Sequence, residues 1–415
     1  MRFCKERVSS PHAITHRALS AARLPFARPT DTPILVWVLA PLVETDDPDI
    51  EWYSDYSQSR AEFDRAFTEL GIAWRWQPIT LADHVRVVDA IIAESAALAL
   101  EPVAFNLCDG DEVNGVPGLS VIRCLEERGV WYTGADERFY DVTTSKIDMK
   151  HAFDRAGVPT SPWEVIPAGV TASRGIFARL GAPLIVKPAV SAGSMGITTK
   201  SVVRSPQELG AQLRRLTNGY HGWDLTGGGI IAERFVDGPE FTTFIVGGHD
   251  DSESAIIYPP VERLFNEMLP PAERFLSFDR LWGLYETEDP LKDDAHLWNY
   301  REVSRALAKR IIEVSWAAYA SVDGCGYGRV DLRQDAVTGE IVVLEVNAQC
   351  GLSEDENYTS IGAILRFART PFSHLVREIV NVSAKRGEGE EEERGERRNL
   401  TPHTAHLTPP RKAIA

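Results

Sequence analysis

The run PILVWVLAP (residues 33–41) is apolar without a break, which predicts a strand covered on both faces. SQSRAEFDRAFTELGI (57–72) follows with helical spacing, Ser57 or Ser59 as its N-cap and Gly71 as its stop. AWRWQPI reads as a second strand, HVRVVDAIIAESAALAL as a helix and PVAFNL as a third strand, which opens into the acidic loop CDGDEVNG. Strands alternating with helices imply a parallel sheet with its functional loops at the carboxyl ends. This N-terminal α/β domain is set at residues 31–142.

From Thr143 the pattern changes. TSKIDMKHAFDRAG predicts a helix ended by Gly157, and PLIVKP, GITTKSV and GIIAERFV predict strands, with SPQELGAQLRRLT as a helix capped by Ser205 between them. A small lobe over 143–240 and a larger, β-rich lobe over 241–383 follow. The larger lobe carries an irregular insert (262–294), a helix from about Trp298 to Tyr319, a hairpin and a helix near SHLVREIV. GYGRVDL and EIVVLEVN flank RQDAVTG, whose Asp, Thr and Gly suit a turn, so these two strands are expected to pair antiparallel. Alternation then puts Glu345 and Asn347 on one face, with Arg329 and Asp331 facing them.

Polar groups at the end of so apolar a strand are expensive unless they meet a ligand or a metal. Carboxylate and amide oxygens without His or Cys favour a hard ion such as Mg2+, which takes few protein ligands and fills its shell with phosphate oxygens. The competing reading is an edge hairpin with solvated charges. In LIVKPAVSAGSMGI, Gly193 and Gly196 let backbone N–H groups approach an anion, Ser191 and Ser194 add hydroxyls, and Lys187 adds charge. A plain hairpin turn would use the same glycines. In IIAERFVDGPEF, Glu233, the Val236 backbone and Glu240 supply what adenine and ribose need, and they would equally suit a salt-bridged edge strand.

The order of these stretches decides among the readings. A lysine (Lys146), a lysine with a Gly loop, Glu-x-x-Val…Glu and then Asp…Glu-x-Asn resemble the ATP-grasp superfamily, in its D-alanine:D-alanine ligase-like branch. The resemblance spans roughly residues 100–380. It implies an α/β ATP-grasp fold: an N-terminal parallel α/β domain followed by two α+β lobes that clamp ATP. It also implies an ATP-dependent carboxylate–amine ligase working through an acyl phosphate; an inactive nucleotide-binding module and a carboxylase-type enzyme are the alternatives. By position, Lys146, Lys187 and Ser194 would contact the ATP phosphates, with Glu233, Val236 and Glu240 at adenine and ribose. Asp331, Glu345 and Asn347 would bind two Mg2+ ions, or Mn2+ in their place, and Arg329 with the Gly351 N–H would steady the tetrahedral intermediate. The sequence departs from the branch at three places. Ala192 replaces the acid of the phosphate loop, PLVETDDPDIEWYSDYSQSR replaces the Gly-Gly…Ser…Glu signature, and Glu356 falls where the acceptor's carboxylate meets a Ser. An acid there would repel an ordinary amino acid and favour a cationic or carboxylate-free acceptor.

Bulk properties narrow the partners. A net charge of -16 opposes nucleic acid and anionic membrane as partners; the resemblance implies small-molecule carboxylate and amine substrates and allows a homodimer. Five cysteines without a CxxC pair argue against zinc and against a disulfide framework. No apolar stretch reaches the roughly 18 residues of a membrane span. A cytoplasmic enzyme is expected, although residues 1–30 carry five arginines against one acid, in the manner of an organelle-targeting segment or a disordered tail. Residues 384–415 are expected to be disordered.

Overall fold

The structure is a computed structural model and describes residues 33–43, 55–167, 169, 175–220, 222–286, 288–291, 296–357 and 359–399. The segment considered for targeting therefore lies outside the described residues, as does most of the stretch that replaces the N-terminal signature.

β1 (Ile34–Pro41) sits inside a four-stranded sheet with β2 (Trp74–Ile79), β3 (Glu101–Asn106) and β4 (Trp131–Tyr132), in the order β2-β1-β3-β4. Its pairings with β2 and β3 are parallel, as is that of β3 with β4. The unbroken apolar run has a direct cause. Leu35, Trp37 and Leu39 point into one core cluster and Val36 and Val38 into another, so both faces of the strand are buried. α1 (Ser57–Leu70) packs Phe63 against Phe67, Phe105 and Phe372, and Phe63→Ala would cost about 3–5 kcal/mol. Gly71 ends this helix in the left-handed conformation. The expected serine cap is corrected: Tyr56 is the N-cap, and the Ser57 N–H is taken by the Asp55 carboxylate at 2.9 Å. α2 (His84–Ala97) and α3 (Leu119–Arg128) complete the unit.

α4 (Glu137–Thr144) and α5 (Lys146–Ala156) lead into a second, antiparallel sheet. It comprises β5 (Trp163–Ile166), β6 (Leu184–Pro188), β7 (Val202–Val203) and β8 (Ile230–Arg234) in the order β5-β8-β6-β7. α7 (Pro206–Asn218), capped by Ser205 as expected, lays Leu209, Leu213 and Leu216 on this sheet; α6 (Ile176–Leu180) precedes β6. GITTKSV is not a strand. Thr198 accepts the Lys200 N–H and donates its own N–H to Ser201 Oγ at 3.0 Å, closing a single 3-10 turn that leaves only Val202 and Val203 extended. Local side-chain bonds here outcompete the ladder.

The third sheet has six strands. β9 (Glu240–Val246), β11 (Val261–Phe265), β12 (Trp298–Glu302), β13 (Tyr327–Gln334) and β14 (Ile341–Ala348) run β12-β11-β9-β13-β14, and β10 (Ile256–Ile257) pairs with β9. The helix expected from Trp298 begins later. WNYRE pairs with β11, and α9 (Arg305–Ser321) starts after Ser304. The insert is only partly irregular, since α8 (Phe278–Trp282) is capped by Ser277. α10 (Ser360–Ala368) and α11 (Phe372–Asn399) close the described chain. The disorder expected over 384–415 is corrected for 384–399, where α11 continues to Asn399, while residues 400–415 lie outside the described residues. Arg386 fastens α11, donating to the Tyr132 and Gly134 carbonyls at 2.7 and 2.9 Å and lying 4.2 Å above the Tyr132 ring. The four described cysteines are free, and no helix among the described residues is long and apolar enough to cross a membrane.

Candidate active site

The hairpin of β13 and β14 pairs antiparallel as its alternation requires, with Asp331 opposite Glu345 and Arg329 opposite Asn347. A β-bulge between Asp331 and Leu332 shifts the register; Ile341, Val342 and Val343 are buried, while Glu345 and Asn347 are half-buried. Asp331 accepts from Arg329 Nε at 3.0 and 3.2 Å and from Asn347 Nδ2 at 2.9 Å. Burial works against the Arg329 charge, yet Asp331 beside it holds its pKa above the usual arginine range. Thr242, opposite Asp331 on β9, keeps a buried hydroxyl without a hydrogen-bond partner.

Facing this hairpin, α5 and β6 deliver the lysines. Ser145 caps α5 and places Lys146 at its first position; the Lys146 N–H binds the Ala189 carbonyl, and its Nζ lies 3.3 Å from the Ser191 carbonyl. The loop after β6 turns through Gly193 and Ser194 at positive φ, 52° and 63°, and carries a buried Ser191 hydroxyl that has no partner. A non-glycine residue in that backbone region is uncommon and marks a constrained turn. Trp282 Nε1 donates to the Gly193 carbonyl at 3.0 Å, so the insert rests on the loop.

Glu233 is 2% exposed and lies between two lysines. Its Oε1 is 2.5 Å from Lys187 Nζ and its Oε2 is 2.7 Å from Lys150 Nζ. Burial pushes its carboxyl up, but Lys150 and Lys187 outweigh that and bring it down to about 2. Burial lowers the pKa of Lys146 and of Lys150, whereas at Lys187 the glutamates 233 and 345 overcome burial and raise it. Lys150 escaped the sequence reading, although it lies one helical turn beyond Lys146 and so shares its face.

Glu240 is likewise held from two sides. Arg333 reaches its Oε2 from Nε at 3.1 Å and Nη2 at 2.8 Å, and Arg263 contacts Oε1. Arg333 also donates to the Val236 carbonyl at 2.9 Å, which joins two of the expected nucleotide contacts. Arg333 too was missed, although it continues the alternation of Arg329 and Asp331 on one face of β13. Gly351 is exposed, with nothing nearer than 3.8 Å to a side chain built on it. The Glu356 carboxylate lies 2.7 Å from Arg366 Nε.

A family model described as D-ala D-ala ligase C-terminus matches residues 152–381, more than half of the chain. The chain belongs to this family. Its curated relatives include the D-alanine--D-alanine ligase of Desulforudis audaxviator, 27% identical over 267 residues, which covers 63% of this chain and 76% of the relative. That of Actinobacillus pleuropneumoniae is 26% identical over 261 residues, covering 63% and 74%. Among solved structures, a D-alanine--D-alanine ligase from Bacillus anthracis complexed with ATP matches with a TM-score of 0.59 at 18% identity, covering 86% of this chain and 99% of that one. The D-alanine-D-alanine ligase from Coxiella burnetii matches at 0.59 with 14% identity, covering 88% and 99%. The fold is therefore ATP-grasp, and this family member is an ATP-dependent ligase that forms carbon–nitrogen bonds from small-molecule substrates, with a divalent metal.

Proposed function

We propose that the enzyme activates a carboxylate with ATP and joins it to an amine, both substrates being amino acids or close analogues. What supports the reading most is the cross-strand pair of Asp331 and Glu345 facing the lysines of α5 and β6. Lys146, Lys187 and the loop at Ser194 take the phosphates, while Val236 and Glu240 take adenine and ribose. Glu233 keeps lone pairs for the adenine amino group beyond its two lysine contacts. The small lobe of residues 143–240 and the large lobe of 241–383 form the two jaws of this clamp.

The donor set fits a hard cation: two carboxylates and an amide, all oxygen ligands. Mg2+ takes few protein ligands, and phosphate oxygens of the nucleotide would complete its shell. Asp331, Glu345 and Asn347 would hold two Mg2+ ions, whose charge screens the transferring phosphoryl group.

The carboxylate oxygen attacks the γ-phosphorus, the bond to the β-phosphate oxygen breaks, and ADP leaves. Lys146, anchored at the Ser191 carbonyl, and Lys187, once it has turned from Glu233, hold the phosphate chain in line for the step. The amine then attacks the acyl carbon and gives up a proton to solvent, and phosphate departs with the carbon–oxygen electron pair. Arg329, oriented by Asp331, and the Gly351 N–H face the oxyanion.

The ion pair of Glu356 with Arg366, both side chains more than a third exposed, offsets part of the repulsion expected towards an acceptor carboxylate. Plain amino acids, D-alanine among them, therefore stay among the proposed acceptors. Phosphate release with single amino acids and Mg-ATP, with mass spectrometry of the products, tests the proposal. A dipeptide formed with one phosphate per bond is expected; ATP hydrolysis without a condensed product would refute it.

A further inference from the structure

Lys150 is the one member of the lysine set that cannot touch a ligand. It is fully buried, whereas the Lys187 side chain keeps 9% of its surface exposed. Its ammonium is fixed from two sides, by Glu233 at 2.7 Å and by the Thr160 hydroxyl at 2.5 Å. The Thr160 hydroxyl donates to the Val343 carbonyl at 3.0 Å and so presents a lone pair to Lys150. The lysine is thereby tied to the base of β14, whose far end carries Glu345 and Asn347.

Glu233 has two cationic partners, and only one of them has a way out. When Lys187 leaves Glu233 for a phosphate, an acid that is 2% exposed would stand alone in a poorly solvated interior, which is costly. Lys150 prevents this because it stays.

We propose that Lys150 is a positioning residue that releases Lys187 to the nucleotide: it keeps Glu233 neutralised while Lys187 turns to the phosphate chain. The inference rests on the nucleotide site proposed above. In a protein without Lys150, Glu233 would hold Lys187 as its sole counter-ion, and phosphate binding would compete with that pair. Glu345 also acts on Lys150 and Lys187, but without a direct ion pair to either.

The test is calorimetric titration of ATP and of AMP into four full-length proteins: the unaltered chain, Lys150→Met, Glu233→Gln and the double variant. Methionine keeps the length and volume of lysine, and glutamine keeps an acceptor for adenine without the charge. Lys150→Met should weaken ATP ten- to a hundredfold and AMP less than threefold. In the Glu233→Gln background the same change should move ATP less than threefold, because Lys187 is no longer held back. A loss of equal size in both backgrounds, or an equal loss for ATP and AMP, would overturn the inference, since a structural role for Lys150 depends on neither the phosphates nor Glu233. Unchanged ATP affinity in Lys150→Met would overturn it as well. Far-ultraviolet circular dichroism confirms that each variant is folded. If the unaltered protein bound ATP no better than AMP, the phosphate site itself would fall and the inference with it.

Discussion

Replacing Arg333 with Met isolates one buried cation at the proposed nucleotide site. The guanidinium is 3% exposed, binds Glu240 through two nitrogens, binds the Val236 and Arg274 carbonyls and lies 5.2 Å from the centre of the Phe235 ring. Methionine fills a similar volume, so the cavity cost is small. Breaking a buried ion pair costs about 3–5 kcal/mol when it strands a charge, but Glu240 retains Arg263, which removes roughly half of that. Two carbonyls that lose donors add about 1 kcal/mol each. The sum is about 4 kcal/mol, a large part of a typical stability of about 5–15 kcal/mol. Urea unfolding at pH 7 should show this as a lower midpoint with an unchanged slope. Because Arg333 orients both Val236 and Glu240, AMP and ATP should weaken alike, by about tenfold, corresponding to roughly 1.4 kcal/mol. Arg333→Lys should recover less than half of either loss, since an ammonium cannot supply the fork that spans Glu240 and Val236. A stability loss below about 1 kcal/mol together with unchanged AMP affinity would refute this account of the site.

Glu345→Gln should slow turnover on the order of 10^3-fold and leave metal-free nucleotide binding nearly intact; near-normal turnover by phosphate release would exclude Glu345 as a metal ligand. Lys187→Ala should weaken ATP much more than AMP by calorimetry, whereas Glu240→Ala should weaken both alike, and the reverse pattern would exchange their roles. The Glu233 carboxyl titrates at about 2, below its ordinary 4.5, so the stability it contributes is complete above pH 4.5 and is lost as pH falls towards 2. That stability is about 3 kcal/mol at neutral pH. The deficit of Glu233→Gln in urea unfolding should therefore be larger at pH 6.5 than at pH 3, and equal deficits would reject the assignment.

Much of the site was legible because its parts are local. The hairpin places Asp331 against Glu345 through a turn that the sequence spells out, and alternation does the rest. Gly71 and Ser205 terminate helices for backbone reasons that hold in any fold. What escaped depends on partners distant in the chain. WNYRE suits a helix or a strand by its own pattern, and pairing with β11 decides it. Lys150 and Glu233 lie 83 positions apart, and no spacing rule links them. Arg333 pairs with Glu240 from 93 residues away, although simple alternation from Arg329 and Asp331 could have marked it. Glu356 could be placed by counting from Asn347, but not its partner on α10.

The charges explain why two sheets are needed. On the side of α5, β6 and β8, Lys146, Lys150 and Lys187 stand against Glu233, an excess of positive charge that no residue of that sheet balances. On the hairpin, Arg329 is spent on Asp331, and among the described residues Glu345 makes no ion pair of its own. Glu345 favours the charged forms of Lys146 and Lys187, so the two sheets attract each other before any ligand enters. In the proposed site, an entering phosphate chain would take over the lysines and release Glu345 to hold a cation. Metal and nucleotide would then bind with positive coupling, each about tenfold tighter in the presence of the other, within the usual 1–3 kcal/mol of linkage between sites.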